Sequence, residues 1–360
     1  MLLRILKVLD RKKYQAGVIS LTTAGRIGKE IVSLGIPVYT LGMHPERFRF
    51  KEFLKLVNLL RKIKPGLVQT ILYHADLIGG IATRLLRIPV IWNVHHSTLT
   101  PSTSKRTTRW VVKLCALLSR AIPEKIVFVS HISRNHHIKI GYFDKKTLVI
   151  PNGFNLKKFR PSNLEKREIR NELGIESDSK VVGFIGRYHP QKDVNNFIQA
   201  SRIIANSKMK ISFIMCGNGM TGENLKLIRE IKKNHLENNF HLLGLREDIY
   251  RIYPSFDVLA SSSSGEAFPM VIGEAMACGI PCVVTDVGDS AYIVGNTGEV
   301  VPPKDPRALA KAIFEILNLT LAEKHKLGIR VRKRIIENFD IKIITKLYEQ
   351  LYESIRENKK

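Results

Sequence analysis

Long hydrophobic runs are missing from this 360-residue chain. No apolar stretch approaches the roughly 20 residues that a helix needs to span a bilayer. The first residues, from Met1 to Lys13, are interrupted by charges every few positions and carry no small-residue cleavage site. They therefore predict an amphipathic helix rather than a signal peptide.

Cysteine is also scarce. The four residues, Cys115, Cys216, Cys278 and Cys282, form no Cys-x-x-Cys pair, and three of them lie in apolar stretches. Buried free thiols in a reducing cytosol are the expected state.

Acidic residues are rare in the first part of the chain. Residues 1–157 contain 27 Lys and Arg against 7 Asp and Glu, whereas the remainder contains 31 against 25. This imbalance suggests that the first part faces something anionic, namely a membrane surface, an anionic lipid-linked substrate or nucleic acid. A general preference for Lys and Ile throughout the sequence explains part of it. Nucleic acid is disfavoured because no aromatic platform accompanies the charge.

The remaining pattern is an alternation of short β-branched runs with helical segments. Strands without regular polar alternation, each separated by a helix, are typical of a parallel doubly wound sheet. The alternation breaks at Pro151-Asn-Gly-Phe-Asn and restarts at Val181. At this length two domains are expected. We predict one domain at 1–157, to which a C-terminal helix at about 341–360 returns, and a second at 158–340.

Residues 261–285 are the most informative stretch. They predict a strand end, a loop with Glu266, a short helix with Glu274, and a buried strand. Pro269 suits the first helical turn, and Gly279 with Pro281 marks the helix end. The free amides and dipole of such a helix suit a phosphate, with one carboxylate on each side of it. The alternative is that these glutamates are helix-dipole partners or solvated charges. Their small and apolar neighbours favour a carboxylate with a dedicated partner.

Other predicted strand ends carry groups suited to a nucleoside diphosphate. Gly186 and Arg187 follow one strand, and Lys192 precedes the next helix. Arg187 can fork to two phosphate oxygens, whereas Lys192 provides a point charge. Gly217 allows close backbone approach at a second strand end, although a bare turn is an alternative. Leu245 follows a third and could edge a base.

These motifs together resemble a known family. They are Phe184-Ile185-Gly186-Arg187 with Lys192-Asp193, Gly217-Asn218-Gly219, Leu243-Gly244 followed by Asp248, and Ser263-x-x-Glu266-x-Phe268-Pro269-x4-Glu274-Ala275-Met276-Ala277-x-Gly279-x-Pro281. They look like the donor half of retaining glycosyltransferases of family 4, which have the GT-B fold. Ile150 to Asn155 matches that family's interdomain segment. The likeness runs from about residue 15 to 340, and its first half is looser.

The resemblance implies two Rossmann-like doubly wound domains facing across a cleft, and transfer of a sugar from a nucleoside-diphosphate sugar with retention at the anomeric carbon. Arg187 and Lys192 would neutralise the diphosphate, Glu274 would accept from the ribose hydroxyls, and Glu266 from hydroxyls of the transferred sugar. His95 falls where the family has a histidine near the reaction centre. A shift of the assignment by one residue would select His96 instead, and a structural histidine at the strand end is the other alternative. The donor side would also include Gly186, Gly217, Leu245, Phe268, Pro269 and Met270.

The same resemblance implies that no metal or other cofactor takes part, because Arg, Lys and helix amides can stabilise the leaving phosphate. The chain contains no Asp-x-Asp pair. The expected acceptor is a saccharide or a lipid-linked sugar of cell-surface polysaccharide or glycolipid assembly. The expected location is the cytoplasm, at the inner face of the membrane. An epimerase or a non-catalytic nucleotide-sugar-binding protein on the same fold is the alternative.

One departure from the family concerns the amino end. Family members begin with a strand and a glycine-rich turn that opens the first helix, whereas Met1 lies inside that helix. We expect the first domain to be incomplete at its amino end, leaving the two neighbours of the central strand without a partner.

A basic amphipathic helix is predicted between Arg47 and Lys64. It is either a covering helix with a solvated basic face or a surface that docks on anionic headgroups. The stretch from Lys105 to Trp110 is similar, and could meet a membrane or an anionic acceptor.

Overall fold

The structure is a computed structural model that describes residues 1–44, 49–95, 105–207 and 209–357. The chain divides into two compact units, Met1–Gly153 with Ile341–Lys360, and Phe154–Asp340. The first unit ends at Gly153, whereas the sequence pattern placed the boundary at residue 157.

The first unit alternates strands and helices. Its elements are α1 (Leu2–Leu6), β1 (Val18–Ser20), α2 (Gly25–Ser33), β2 (Val38–Thr40), α3 (Phe50–Ile63), β3 (Val68–Ile71), α4 (Tyr73–Leu85), β4 (Val90–Val94), α5 (Arg106–Leu118), β5 (Lys125–Phe128), α6 (His131–Ile140) and β6 (Thr147–Val149). The C-terminal helix of the chain, which belongs to this unit, is numbered below. The predicted basic helix is α3, although Arg47 lies outside the described residues.

The strands of this unit form two separate parallel sheets. β1 pairs with β2, and β3, β4, β5 and β6 pair in that order. Within the described residues, β1 and β3 each pair on one side only. The prediction of a parallel α/β topology is confirmed. In the described residues the strands of this unit form a two-stranded sheet that ends at β1 and a four-stranded sheet that begins at β3.

The four-stranded sheet is covered on both faces. Trp92 and Phe128 pack in one cluster with residues of α4 and α5. Ile91 and Val127, which alternate with them along β4 and β5, pack instead with the C-terminal helix. Because successive side chains of a strand point to opposite faces, the two clusters lie on opposite sides of the sheet. Burial on both faces explains the continuous apolar runs of these strands.

The second unit contains one six-stranded parallel sheet. Its elements are α7 (Asn163–Glu172), β7 (Lys180–Ile185), α8 (Val194–Ala205), β8 (Ile211–Cys216), α9 (Leu225–Lys233), β9 (Phe240–Leu242), α10 (Ile249–Ile252), β10 (Val258–Ser261), α11 (Met270–Ala277), β11 (Cys282–Thr285), α12 (Ser290–Val294), β12 (Glu299–Val301), α13 (Pro306–Asn318) and α14 (Leu321–Phe339). α15 (Ile341–Glu357) then returns to the first unit. The strand order is β12-β11-β10-β7-β8-β9.

All four cysteines are free and buried, as predicted. Burial raises the pKa of the Cys216 thiol to about 11 and that of Cys278 to about 12. Both thiols are therefore protonated at neutral pH and behave as small apolar side chains.

Helix α7 lies in a polar segment for which no helix was predicted. Its sequence has few apolar residues, so the hydrophobic periodicity is weak. The Ser162 hydroxyl accepts a hydrogen bond from the backbone N–H of Glu165 and begins the helix. The helix is held instead by Arg170, which is 7% exposed and donates to the carbonyl of Ser255 and to the carboxylate of Asp257 at 2.9 Å.

Asp257 joins α7 to the central strands. It accepts from Arg170 and from the backbone N–H of Val181 at 2.8 Å, and lies 3.3 Å from Lys166 Nζ. Burial raises the pKa of this carboxyl, but the two cations and the N–H outweigh that effect and hold it below its usual value. The stability from this depressed pKa is present above the unfolded-state value and is lost as the pH falls through the folded-state value.

We expect Asp257→Asn to lower the free energy of unfolding by about 3 kcal/mol at neutral pH, because Arg170 would remain buried without its carboxylate. Urea denaturation followed by circular dichroism measures this. The difference in the free energy of unfolding between Asp257→Asn and the parent should shrink as the pH falls towards the acid range. Asp178→Asn is the control, since its pair with Lys210 is exposed and should contribute little. Equal losses in the two variants would contradict the assignment.

Candidate functional site

The strand order of the second unit reverses between β7 and β10. The chain runs from β7 through β8 to β9 on one side, then crosses to β10 and continues through β11 to β12 on the other. In open parallel sheets, ligands bind outside the carboxyl ends of the strands at such a switch point. The segments that follow β7 and β10 are therefore the candidate site, and they contain Arg187, Lys192 and Glu266.

The segments that follow β7 and β8 approach closely because residue 217 is a glycine. A Cβ atom on Gly217 would lie 2.1 Å from the carbonyl oxygen of Gly186, and Gly217 has φ of +143°. The Gly186 N–H donates to Cys216 O at 2.9 Å, and the Tyr188 N–H donates to Asn218 O at 2.7 Å. This packing requires glycine at position 217 and fixes where the backbone leaves each strand.

The loop after β10 is tied to the turn that precedes α8, a short 3₁₀ helix at Pro190–Lys192. Ser262 Oγ donates to the carbonyls of Lys192 and Asp193 at 3.0 and 2.9 Å. Gln191 Nε2 donates to Gly265 O at 2.5 Å. The two segments at the switch point therefore form one hydrogen-bonded assembly.

At the centre of this assembly Lys192 and Glu266 form an ion pair. Lys192 Nζ lies 2.5 Å from Glu266 Oε1, and Ser263 Oγ donates to the same oxygen at 2.8 Å. The two side chains are 17% and 12% exposed. A cation and a carboxylate are thus held together at the mouth of the sheet, with part of each still open to solvent. Such a pair can exchange its mutual contact for contacts with a ligand that carries both phosphate and hydroxyl groups.

Arg187 and Leu245 occupy the rim. Arg187 follows the end of β7 and is exposed. Leu245 follows β9 and is 76% exposed. The neighbouring Arg246 forms a two-pronged ion pair with Asp248, with both N–O distances at 2.8 Å. Leu245 therefore projects from a braced turn.

Glu274 lies on the body of α11 and is 7% exposed. Its Oε2 accepts a hydrogen bond from Tyr253 Oη at 3.0 Å. The pKa of the Tyr253 hydroxyl is raised well above its usual value, first by burial and then by the negative charge of Glu274. Tyr253 is thus a fixed donor that orients this carboxylate.

The start of α11 is packed by aromatic rings. Phe268 stacks on Phe154 with ring centres 6.3 Å apart and meets Phe339 edge-on at 5.8 Å. A Cβ atom on Gly273 would lie 2.1 Å from the Phe154 ring, so glycine is required for that ring to reach α11. Pro269 precedes the helix, and Met270 is its first residue. Phe268 and Pro269 are buried and therefore position the helix; Met270 is partly exposed.

His95 belongs to the first unit. It follows β4 directly and is partly buried, while His96 lies outside the described residues. The strand before it is fixed by Asn93, whose Nδ2 donates to Tyr348 Oη on α15 at 2.8 Å. Leu72, which follows β3, donates its backbone N–H to Asn93 O at 3.1 Å and has φ of +74°, a rare value for a residue with a side chain.

Sequence reasoning did not assign Gln191 or Tyr253 to this site, and quoted Ser263 only as part of a motif. Gln191 lies beside Lys192, so its position was available from the pattern. Tyr253 is 21 residues before Glu274 in the chain, and only the folded structure brings its hydroxyl to the carboxylate. In the described residues, no three His, Cys, Asp or Glu side chains come together in a way suited to a metal ion.

Two family models match this chain. The model described as Glycosyltransferase Family 4 matches residues 1–158, and that described as Glycosyl transferases group 1 matches residues 165–334. Together they match most of each unit, although neither reaches α15. The chain belongs to the family 4 glycosyltransferases.

Curated relatives support this glycosyltransferase assignment. The chain is 29% identical over 300 residues to an Escherichia coli UDP-Gal:alpha-D-GlcNAc-diphosphoundecaprenol alpha-1,3-galactosyltransferase, covering 81% of this chain and 76% of that protein. It is 26% identical over 317 residues to the capsular polysaccharide biosynthesis glycosyltransferase CapM of Staphylococcus aureus, with 84% and 80% covered.

Solved structures show the same architecture for this glycosyltransferase. Anabaena Alr3699/HepE in complex with UDP superposes with a TM-score of 0.84 at 24% identity, covering 98% of this chain and 96% of that one. A sucrose-phosphate synthase from Thermosynechococcus elongatus gives a TM-score of 0.74 at 20% identity, with 94% and 98% covered. The predicted two-domain α/β fold of the GT-B class is therefore confirmed.

The contact between Tyr253 and Glu274 leads to a prediction for this glycosyltransferase. Tyr253→Phe removes the hydrogen bond and leaves a buried carboxylate oxygen with one donor fewer, so we expect roughly 10-fold weaker binding of the nucleoside diphosphate. Isothermal titration measures it. Tyr142→Phe, which removes an equally buried hydroxyl from the first unit, is the control and should leave that affinity unchanged. Unaltered affinity in Tyr253→Phe would show that Glu274 needs no such donor.

Proposed function

We propose that this glycosyltransferase moves a sugar, with retention at the anomeric carbon, from a nucleoside-diphosphate sugar to a saccharide or lipid-linked acceptor. The observation that carries the proposal is the ion pair of Lys192 and Glu266 at the switch point of the second sheet. It brings to one place a cation suited to a diphosphate and a carboxylate suited to sugar hydroxyls.

Lys192 and Arg187 stabilise the negative charge that develops on the leaving diphosphate. As the bond between the anomeric carbon and the diphosphate oxygen breaks, negative charge grows on the leaving phosphate. Lys192 stabilises that charge from within the loop assembly, and Arg187 reaches the same group from the rim. The backbone N–H groups at the start of α11 add a third favourable contribution, since helix N-termini favour anions. Gly186 and Gly217 allow the backbone to approach the phosphates.

Two carboxylates hold the hydroxyl groups of the donor. Glu274, oriented by Tyr253, accepts from the ribose. Glu266 exchanges its contact with Lys192 for hydroxyls of the transferred sugar. Glu266 is the first proposed catalytic residue, and His95 of the first unit is the second. Leu245 edges the base, while Phe268, Pro269 and Met270 keep the start of α11 in place.

Retention follows from a front-face reaction. The acceptor oxygen forms its bond to the anomeric carbon on the face that the phosphate leaves, and the departing phosphate oxygen takes the acceptor proton. We propose that no metal takes part, since fixed protein cations supply the positive charge.

The relatives suggest which substrates to test first. HepE was crystallised with UDP and with UDP-glucose, and the Escherichia coli relative acts on a diphosphoundecaprenol-linked sugar. We therefore propose a uridine-diphosphate sugar as the first donor to test and a lipid-linked acceptor of polysaccharide or glycolipid assembly.

Across the described part of the chain, no helix is both long and apolar enough to cross a bilayer. We propose that the protein works in the cytoplasm, peripherally attached to the inner face of the membrane where a lipid-linked acceptor would be presented.

The phosphate role of Lys192 can be tested with a matched lysine. We expect UDP to raise the melting temperature of the parent and to bind Lys192→Ala at least about 10-fold more weakly, because a charge-assisted contact is lost. Lys210→Ala is the control. Lys210 also pairs with a glutamate, Glu176, but it lies just before the amino end of β8, whereas the candidate site lies at the carboxyl ends of the strands. If UDP, GDP and ADP all bind Lys192→Ala as well as the parent, the phosphate assignment is wrong.

The carboxylate role of Glu266 predicts a separation of binding from turnover. Glu266→Gln should reduce kcat on the order of 100-fold, because the transferred sugar is no longer held in position. Nucleotide affinity should be kept or should increase, since Lys192 loses a competing carboxylate. Release of the nucleoside diphosphate in a coupled assay gives kcat, and thermal shift gives affinity. Loss of affinity with unchanged kcat would reverse the assignment.

A further inference from the structure

Three helices form an outer layer on one face of the first unit. α4 and α5 connect β3 to β4 and β4 to β5, and right-handed crossovers in that order place both helices on the same side of the four-stranded sheet. α3, which leads from the two-stranded sheet into β3, packs beside α4. α4 lies between the other two: Ala82 packs with residues of α3, and Tyr73 packs with residues of α5. We call the solvent-facing side of α3, α4 and α5 the outer layer.

The outer layer exposes large apolar side chains. Phe50, Leu54, Leu85, Trp110, Leu114 and Leu117 are each at least 45% exposed, with Trp110 at 58% and Leu117 at 77%. Along α5 the spacing of Trp110, Leu114 and Leu117 places them on one side of the helix, opposite the buried Val112, Cys115 and Ala116. Several large apolar side chains exposed on one layer are typical of a binding face.

The charges of the outer layer all have one sign. The three helices contain Lys51, Lys55, Arg61, Lys62, Arg84, Arg106, Arg109 and Lys113. Their acidic residues are Glu52 and Asp76, which are 9% and 0% exposed. Burial raises the pKa of Asp76 well above its usual value. The outer layer thus presents cations and apolar side chains without an exposed carboxylate from its own helices.

Two other helices with exposed apolar residues also expose a carboxylate. α2 exposes Ile27 and Val32 but also Glu30, and α14 exposes Ile329 and Ile336 but also Glu337. The excess of Lys and Arg in this chain therefore does not by itself produce an acid-free face. Basic charge without acids is concentrated where the exposed tryptophan and leucines lie.

We propose that the outer layer docks on an anionic phospholipid bilayer. This inference rests on the proposed membrane location and names the surface responsible for it. Lys and Arg side chains are attracted to the headgroup charge, while Trp and Leu enter the boundary between headgroups and acyl chains. The stems of the long cationic side chains can lie along the same apolar surface. A protein held in this way needs no spanning helix.

The test uses flotation with phosphatidylcholine vesicles that contain or lack phosphatidylglycerol, without nucleotide or acceptor. We expect binding only with phosphatidylglycerol, and weaker binding at high salt because exposed charges are screened. The chain contains two tryptophans, and the other, Trp92, is fully buried. A blue shift of fluorescence on binding, with quenching by brominated lipid, would therefore report on Trp110.

Two variants separate charge from apolar insertion. Lys51→Ala combined with Lys55→Ala and Lys62→Ala should weaken partitioning on the order of 100-fold, since each cation near an anionic surface contributes. Leu114→Ser with Leu117→Ser should weaken it at least about 10-fold.

Each variant has a matched control in the second unit. Lys226→Ala with Lys232→Ala and Lys233→Ala removes three exposed lysines from α9, and Leu225→Ser with Leu321→Ser removes two exposed leucines. Both controls should bind vesicles like the parent. Thermal melting of every variant verifies that it is folded.

Several results would overturn the proposal. These are no binding to either vesicle, equal binding to both, or equal losses in the variants and their controls. A dimer that Leu114→Ser with Leu117→Ser dissociates would assign the outer layer to a second copy of the chain. Retention on single-stranded DNA in the absence of vesicle binding would assign it to nucleic acid. Stabilisation by UDP is measured without lipid, so failure here leaves the proposed transferase activity standing.

Discussion

The reversal of strand order between β7 and β10 is the constraint on which the candidate site depends. Strands that continue in one direction are separated at their carboxyl ends by the connections that leave them, whereas at a reversal the two connections diverge and leave an open crevice. Lys192 comes from one side of this crevice and Glu266 from the other. The hydrogen bonds of Gln191 and Ser262 then lock the two connections together.

The ion pair at this crevice is compatible with ligand binding because it is incompletely buried. A fully buried pair would strongly resist separation, and an exposed one would be loosely held. At 17% and 12% exposure, Lys192 and Glu266 retain defined positions and remain accessible. In the proposed reaction each side chain keeps the other oriented for a different portion of the same donor, the lysine for phosphate and the glutamate for hydroxyls.

Much of the fold and part of the site could be predicted from the sequence, for identifiable physical reasons. Short buried runs of β-branched residues predict parallel strands. The apolar residues of α3, Phe50–Ile63, recur with a helical period and fall within the predicted range of Arg47 to Lys64. The helix α7 was missed because Arg170 and Asp257, not a hydrophobic face, hold it in place.

In the candidate site, too, local motifs could predict single residues but not the contacts between them. Lys192 and Glu266 lie in local motifs and could be singled out one at a time, but their direct contact joins residues 74 positions apart and depends on the sheet. The same is true of the tyrosine that holds Glu274. The strands of the first unit form two sheets, and this too could not be predicted, because local sequence patterns do not specify which strands pair.

The ring of Phe154, seated against Gly273, has a practical meaning for recombination between related enzymes. Phe154 is the first residue of the second unit, and it reaches α11 only because position 273 has no side chain. A chimera that takes its first unit from a relative must cross over before this phenylalanine, or must bring in both partners together. A junction placed a few residues later would bring in the relative's own residue at position 154, and a smaller side chain there would leave a hole beside the helix that carries Glu274. The proposed donor binding would then suffer although every polar group of the site had been inherited intact.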